Sequence, residues 1–230
     1  MENAELSFTV QMATTLEDLR EVSNVRTEAY AHHDAEAGLK FGQIEPLDYA
    51  EGTAVLLCRD KASDEGIGTV RVQISGFGPL LLEHSLELPA WLANKSRAQI
   101  SRLAVRGGAE ARVKLSLMKA CYQYCLATRV RWMVIGARSA ALIRNYRSLG
   151  FTDVFEPGQW VPLASGGGLP HQILAFDVTS AEASWRATRN RLYGFMTAVD
   201  HDNLYVLADN DSALAHLSQL NTRTAGKLLI

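Results

Sequence analysis

No apolar run in the 230-residue chain approaches the roughly 18 to 20 residues needed to cross a bilayer, so a membrane span is not expected. The opening residues, MENAELSFTV, lack the basic-then-apolar layout of a secretion signal, and a cytoplasmic protein is the expectation. Cysteine is scarce: Cys58, Cys121 and Cys125 make an odd set, and the last two follow a helical spacing rather than that of a metal knuckle. They read as core thiols, not as a disulfide framework. Histidine forms no metal constellation; the run His32-His33-Asp34 lies at a helix end without matching ligands, so no metal is expected. Internal repeats are absent, and so is a Pro/Gly/Ser linker, the only low-complexity spot being SGGGLP at 165–170.

Acid is missing from one long stretch. From Lys95 to Arg147 there are twelve lysines and arginines and a single carboxylate, Glu110, although the whole chain has a net charge of −2. Such asymmetry marks a face that meets something acidic, or else a solvated helix face. Aromatic side chains are not interleaved with the basic ones as stacking platforms require, so nucleic acid is not expected.

What is present is an ordinary globular composition, 47% hydrophobic and 21% charged, which excludes disordered and fibrous classes. LEDLREVSNVRTEAYAHH (16–33) has helical apolar spacing, with Thr14 or Thr15 as N-cap. GTAVLLCRD (52–60) and IGTVRVQIS (67–75) predict a hairpin across KASDEG, and a Pro-bounded connection with a helical portion follows at 78–96. QISRLAV (99–105) predicts a strand, 113–128 a helix, 131–137 a strand, 139–151 a helix ending at Gly150, and 171–178 a late strand. This order predicts an α/β fold with a mixed sheet. The expected organisation is a lead-in strand (1–15), one domain (16–180), and a C-terminal extension packed on it (181–230).

GTVRV (68–72), ISRLAV (100–105), a Gly/Arg-rich turn RGGAEAR, and YRSLGF (146–151) together resemble the GCN5-related N-acyltransferase fold, a central mixed, twisted sheet with splayed parallel strands flanked by helices. Within it, the pairing of GTVRV with ISRLAV, the strand PHQILAFDV and the later WRATRNRLYGFM are similar to the long-chain N-acyl amino acid synthases, relatives of the acyl-homoserine-lactone synthases. The likeness covers residues 16–203. It implies transfer of a medium- to long-chain fatty acyl group to the α-amine of an amino acid, tyrosine or another aromatic one. The donor it implies is a phosphopantetheine thioester on acyl carrier protein, or acyl-CoA, with no permanently bound cofactor.

The resemblance also assigns residues. Leu103, Ala104 and Val105, with the strand end at Ala137, would hold the pantetheine arm and polarise the thioester carbonyl. Tyr146 would protonate the leaving thiolate, since a tyrosine with its ordinary pKa of about 10 is an acid at neutral pH. Arg106, Arg112, Lys114, Arg138, Arg144 and Arg147 would form the rim that docks the acidic carrier protein. RGGAEAR departs from the acetyltransferase pattern at Ala109 and Ala111, which weakens a coenzyme A pyrophosphate site.

Two roles fit Arg102. Alternation places its side chain with Ile100 and Ala104, where, with Arg71, it would grip a substrate carboxylate; alternatively it is tied to an acid such as Asp48 or Glu51. Arg26 and Tyr30, one helical turn apart, are candidates for lining the acceptor pocket. Gln99 stands where the related synthases carry a glutamate, and an amide is no general base. The base would then be Asp48, Glu36 or a water. Two other functions fit the same residues: a coenzyme A-dependent acetyltransferase, and a non-catalytic module that binds an acidic partner.

Overall fold

The computed structural model describes residues 5–32, 35–198, 201 and 203–206. They form β1 (Phe8–Met12), α1 (Leu16–Ala31), α2 (Ala35–Phe41), β2 (Thr53–Asp60), β3 (Gly66–Ile74), α3 (Ala90–Ala93), β4 (Arg97–Val105) and α4 (Arg112–Ala127). There follow β5 (Trp132–Ala137), α5 (Ala140–Leu149), β6 (Thr152–Asp153), β7 (Val161–Leu163), β8 (Leu169–Asp177), α6 (Ala181–Ala187) and β9 (Leu204–Tyr205). Strand order is β6-β8-β5-β4-β3-β2-β1-β9, with β7 on β8. The sheet is mixed: β4 runs parallel to β5 and β9 parallel to β1, while β1–β2 and β5–β8 are antiparallel. His33, Asp34 and the expected extension beyond residue 206 lie outside the described residues.

The strands and major helices predicted by periodicity all form. The connection at 78–96 is two short turns, Leu81–His84 and Ala90–Ala93, rather than one helical portion. No described helix is long and apolar enough to cross a membrane.

The chain divides into two compact units. The first comprises the described residues of Met1–Val72, Arg102–Cys121 and His201–Ile230. Here α1 starts at Thr15, whose hydroxyl accepts the Asp18 N–H at 3.0 Å while the Asp18 carboxylate accepts the Thr15 N–H at 3.1 Å. That reciprocal capping box satisfies donors that an uncapped helix would leave open. Leu19, Val22 and Val25 then recur on one face and bury against Val55, Leu57 and Ala104. A side chain at Gly38 of α2 would come within 2.8 Å of the Ala31 Cβ, so glycine is what lets α2 lie directly on α1.

The second unit comprises the described residues of Gln73–Ser101 and Tyr122–Asp200. Strand β5 pairs with β8 from Trp132↔Asp177 to Ala137↔Gln172, and with β4 from Arg97↔Trp132 to Ile100↔Ile135. Its core joins Leu80, Leu82, Leu92, Val134, Val154, Leu163, Ile173 and Ala175. Burying each of these leucines, valines and isoleucines contributes about 1.5–3 kcal/mol, so the irregular 78–96 connection is held by its leucines rather than by regular backbone pairing. The three cysteines are free and buried.

Candidate active site

Five residues singled out in the sequence, Arg26, Tyr30, Asp48, Arg71 and Arg102, come together in the first unit. Helix α1 presents Arg26, fully buried, to Asp48, whose carboxylate accepts from Nη1 at 2.7 Å and Nη2 at 2.9 Å. Asp48 is placed by a single turn, Pro46–Tyr49, in which it also accepts the Glu45 backbone N–H at 2.8 Å. Proline fixes the first residue of that turn and so aims both acids one way. Strand β3 supplies Arg71, whose Nη1 bridges Glu45 Oε2 at 2.6 Å and Asp48 Oδ1 at 3.2 Å.

Arg102 completes the lattice. Its Nε donates to Glu45 Oε2 at 2.9 Å and its Nη2 to Oε1 at 2.6 Å, a two-pronged pair. The guanidinium lies 4.8 Å from the Phe41 ring centre, and Phe41 meets Tyr30 edge-on at 6.1 Å. The acid is thus Glu45, not Asp48 or Glu51. Strict alternation also fails here, because Arg102 has φ 53° in the middle of a strand. A left-handed residue costs a non-glycine side chain about 1–3 kcal/mol and re-aims it as a bulge does. It falls two residues past Ile100↔Ile135, the last register pair of β4 with β5.

That backbone carries an expected result. Arg102→Gly and Arg102→Ala both lose the Glu45 pair, but only glycine adopts φ 53° without strain. Thermal melts should place the glycine variant above the alanine variant by about 1 kcal/mol, the reverse of the usual order in a strand. An alanine variant that melts higher would show the backbone there to be unstrained.

Charges in the lattice are held firmly. Burial pushes the carboxyls of Glu45 and Asp48 up, but the hydrogen bonds and charges of Arg102 and Arg71 on Glu45, and of Arg26 and Arg71 on Asp48, outweigh it and leave both below the usual carboxylate range. Both are thereby held as carboxylates at neutral pH. Tyr30 is pushed up by burial, against the pull of Arg102, Arg26 and Arg71. Glu45 is the lattice acid that reaches solvent, with a side chain 26% exposed against none for Asp48. Sequence reading had no place for Glu45 or Phe41; the run EPLD, acids flanking a proline, is the signal that marks such a turn.

In the second unit, Gln99 is buried and its side-chain oxygen accepts the Leu82 N–H at 2.8 Å, so it anchors the 78–96 connection. Tyr146, on α5, is buried, and Ala137 ends β5. Ala104 packs in the first core, between the half-buried Leu103 and Val105.

The basic residues sort by partner. Arg106 faces Glu21 at 3.5 Å, Glu28 at 2.9 Å and Glu65 at 3.8 Å; Arg112 pairs with Glu110, and Arg147 with Asp153 at 2.8 Å. Lys114 is pushed down by burial. Arg138 and Arg144 are exposed on either side of the α5 N-cap, Ser139, with no carboxylate at ion-pair distance among the described residues. No described group of three His, Cys, Asp or Glu side chains gathers as metal ligands.

No protein-family model matches the chain, and no curated protein matches it. Solved structures place its architecture: it has the fold of the GCN5-related N-acyltransferases, a mixed sheet flanked by helices. It is similar to FeeM, an N-acyl amino acid synthase from uncultured soil microbes, with a TM-score of 0.61 and 16% identity over 82% of this chain and 98% of that one. It is also similar to an acetyltransferase of the GNAT family from Staphylococcus aureus Mu50 (TM-score 0.51, 11% identity, 74% of this chain and 99% of that one). Escherichia coli ElaA matches at a TM-score of 0.51 and 16% identity, over 75% of this chain and all of that one (100%).

Proposed function

We propose that the protein is an N-acyltransferase that moves a medium- to long-chain fatty acyl group from a phosphopantetheine thioester to the α-amine of an amino acid. The lattice of Arg26, Arg71, Arg102, Glu45 and Asp48, with Tyr30 and Phe41 against it, carries this reading. It fixes charges of both signs beside aromatic rings, the pattern that recognises a zwitterion with an apolar or aromatic side chain. The acceptor carboxylate goes to the guanidinium edge and its ammonium to Glu45.

In the reaction the acceptor ammonium first gives a proton to water, because Gln99 is an amide and both lattice carboxylates are held too low to take it. The amine nitrogen then attacks the thioester carbonyl carbon. Backbone groups of Leu103, Ala104 and Val105, beyond the Arg102 bulge, are the proposed partners of the pantetheine arm and the developing oxyanion. The C–N bond forms, the C–S bond breaks, and the thiolate takes the Tyr146 hydroxyl proton. The nitrogen's remaining extra proton returns through solvent to Tyr146, leaving an amide and a free thiol.

Carrier protein is favoured over coenzyme A by the turn before α4. Glu110 stands there as a carboxylate, paired to Arg112 and accepting from Ser7 at 2.9 Å, where a pyrophosphate would need a positive cradle. The docking rim narrows to Arg138 and Arg144, because Arg106, Arg112 and Arg147 already have acids and Lys114 is half-buried.

The test is incubation with acyl-loaded carrier protein, acyl-CoA and mixed amino acids, with products read by mass spectrometry. N-acyl amino acids made faster from carrier protein are expected, and faster acetyl-CoA turnover would overturn the reading. In the same assay Arg138→Glu with Arg144→Glu should raise the carrier-protein KM about tenfold at low salt and leave the acceptor KM unchanged.

A further inference from the structure

Helix α5 ends in an unusually complete way. Four carbonyls at a helix C-terminus have no partner within the helix, and here each has one. Phe151 N–H donates to the Tyr146 carbonyl at 3.1 Å and Gly150 N–H to that of Arg147 at 2.9 Å. With Gly150 left-handed at φ 104°, these two bonds form a Schellman motif. The other two carbonyls are taken by side chains from α6 and the residues after it: Asn190 Nδ2 donates to Ser148 at 3.0 Å, and Trp185 Nε1 to Leu149 at 2.7 Å.

The side chains follow the same path. The Tyr146 ring rests on Phe151 at 5.6 Å, Phe151 stacks on Phe176 at 5.1 Å, and Phe176 meets Trp185 at 5.4 Å. Trp185 is buried and also abuts Tyr122 at 5.2 Å. Phe151 therefore meets Tyr146 at both its carbonyl, which the Gly150 N–H also reaches, and its ring, and Phe151 is connected through Phe176 to the tryptophan that closes the helix end.

We propose that Trp185 and Asn190 are positioning residues for Tyr146: by closing the last turn of α5 they hold its hydroxyl where the leaving thiolate needs a proton. This rests on the role of Tyr146 proposed above. The physical reason is that a helix's last turn frays unless its carbonyls are bonded, and proton transfer tolerates displacements of only about 0.5 Å. Neither residue touches the reacting atoms.

The experiment has two arms. In the first, hydrogen exchange of the Gly150 and Phe151 amides is measured in Trp185→Phe, which keeps a ring in the stack and removes the donor, and in Asn190→Ala. Exchange faster by about tenfold is expected in each; unchanged exchange overturns the clamp whatever the activity.

In the second, kcat is compared for an alkyl thioester and for an aryl thioester whose thiolate leaves unprotonated. Trp185→Phe should lower kcat about tenfold on the alkyl donor, with both KM values unchanged, and restore near-wild-type rates on the aryl donor. Added to Tyr146→Phe it should cost nothing further. Equal losses on both donors, or a further loss on top of Tyr146→Phe, would make Trp185 merely structural and overturn the proposal. A wild-type protein that turns over neither donor overturns the functional reading instead, and the exchange arm still decides the clamp.

Discussion

Asp48→Ala lowers the melting temperature by about 6 °C or more, the expected cost of about 3 kcal/mol or more for leaving a buried guanidinium without its partner. Arg26 and Asp48 are both fully shielded from solvent, and the pair they make is two-pronged at 2.7 and 2.9 Å. Removing the acid strands Arg26 and takes one of the two acids from Arg71. Adding Arg26→Met removes the stranded charge and should recover much of the loss, because an apolar replacement of a buried pair is often close to neutral. Scanning calorimetry of the two variants decides this; a double variant no better than Asp48→Ala would mean that packing, not charge, is lost.

The same pair sets an acid limb. The Asp48 carboxyl is held below its ordinary range in the folded chain, burial being outweighed by Arg26 and Arg71. Its contribution is complete above about pH 5, where the unfolded carboxyl is almost fully ionised, and disappears as pH falls through the lower folded-state value. The advantage of wild type over Asp48→Asn should therefore shrink in acid and not in base.

Tyr146→Phe is expected to reduce kcat on an alkyl thioester by about 10²- to 10⁴-fold, the usual span for a lost general acid. The ring that packs on Phe151 at 5.6 Å remains, so the melting temperature should change little. A phenylalanine variant with wild-type kcat would remove Tyr146 from the chemistry and transfer the proton to solvent.

Much of the fold was readable because it is periodic. The β-branched runs that became β2 and β3, and the apolar stripe of α1, follow spacings that any sequence window reveals. The lattice was readable only in part. Arg71 and Arg102 stood out as arginines in apolar strands, and Arg26 with Tyr30 as neighbours one turn apart on a helix, but Glu45 sits in an aperiodic turn 57 residues from the arginine it binds. Backbone handedness at Arg102 has no sequence signature, since left-handed residues are usually glycine or asparagine. Charge counting likewise found the basic stretch without seeing that Glu21, Glu28 and Glu65, all outside it, had already claimed Arg106. A count of charges registers sign, whereas availability depends on what folds alongside.

The buried cysteines have a practical corollary. Cys58, Cys121 and Cys125 are fully covered, and burial pushes the Cys58 thiol up to about 12 and the Cys125 thiol up as well. Only a thiolate attacks a disulfide. An aromatic disulfide dye mixed with the native protein therefore stays colourless until the proposed reaction sets pantetheine free, which makes the protein its own blank in a continuous assay. Heated past its melting point, the same solution develops colour from three protein thiols, so one cuvette and one dye follow turnover while the chain is folded and count molecules as they unfold.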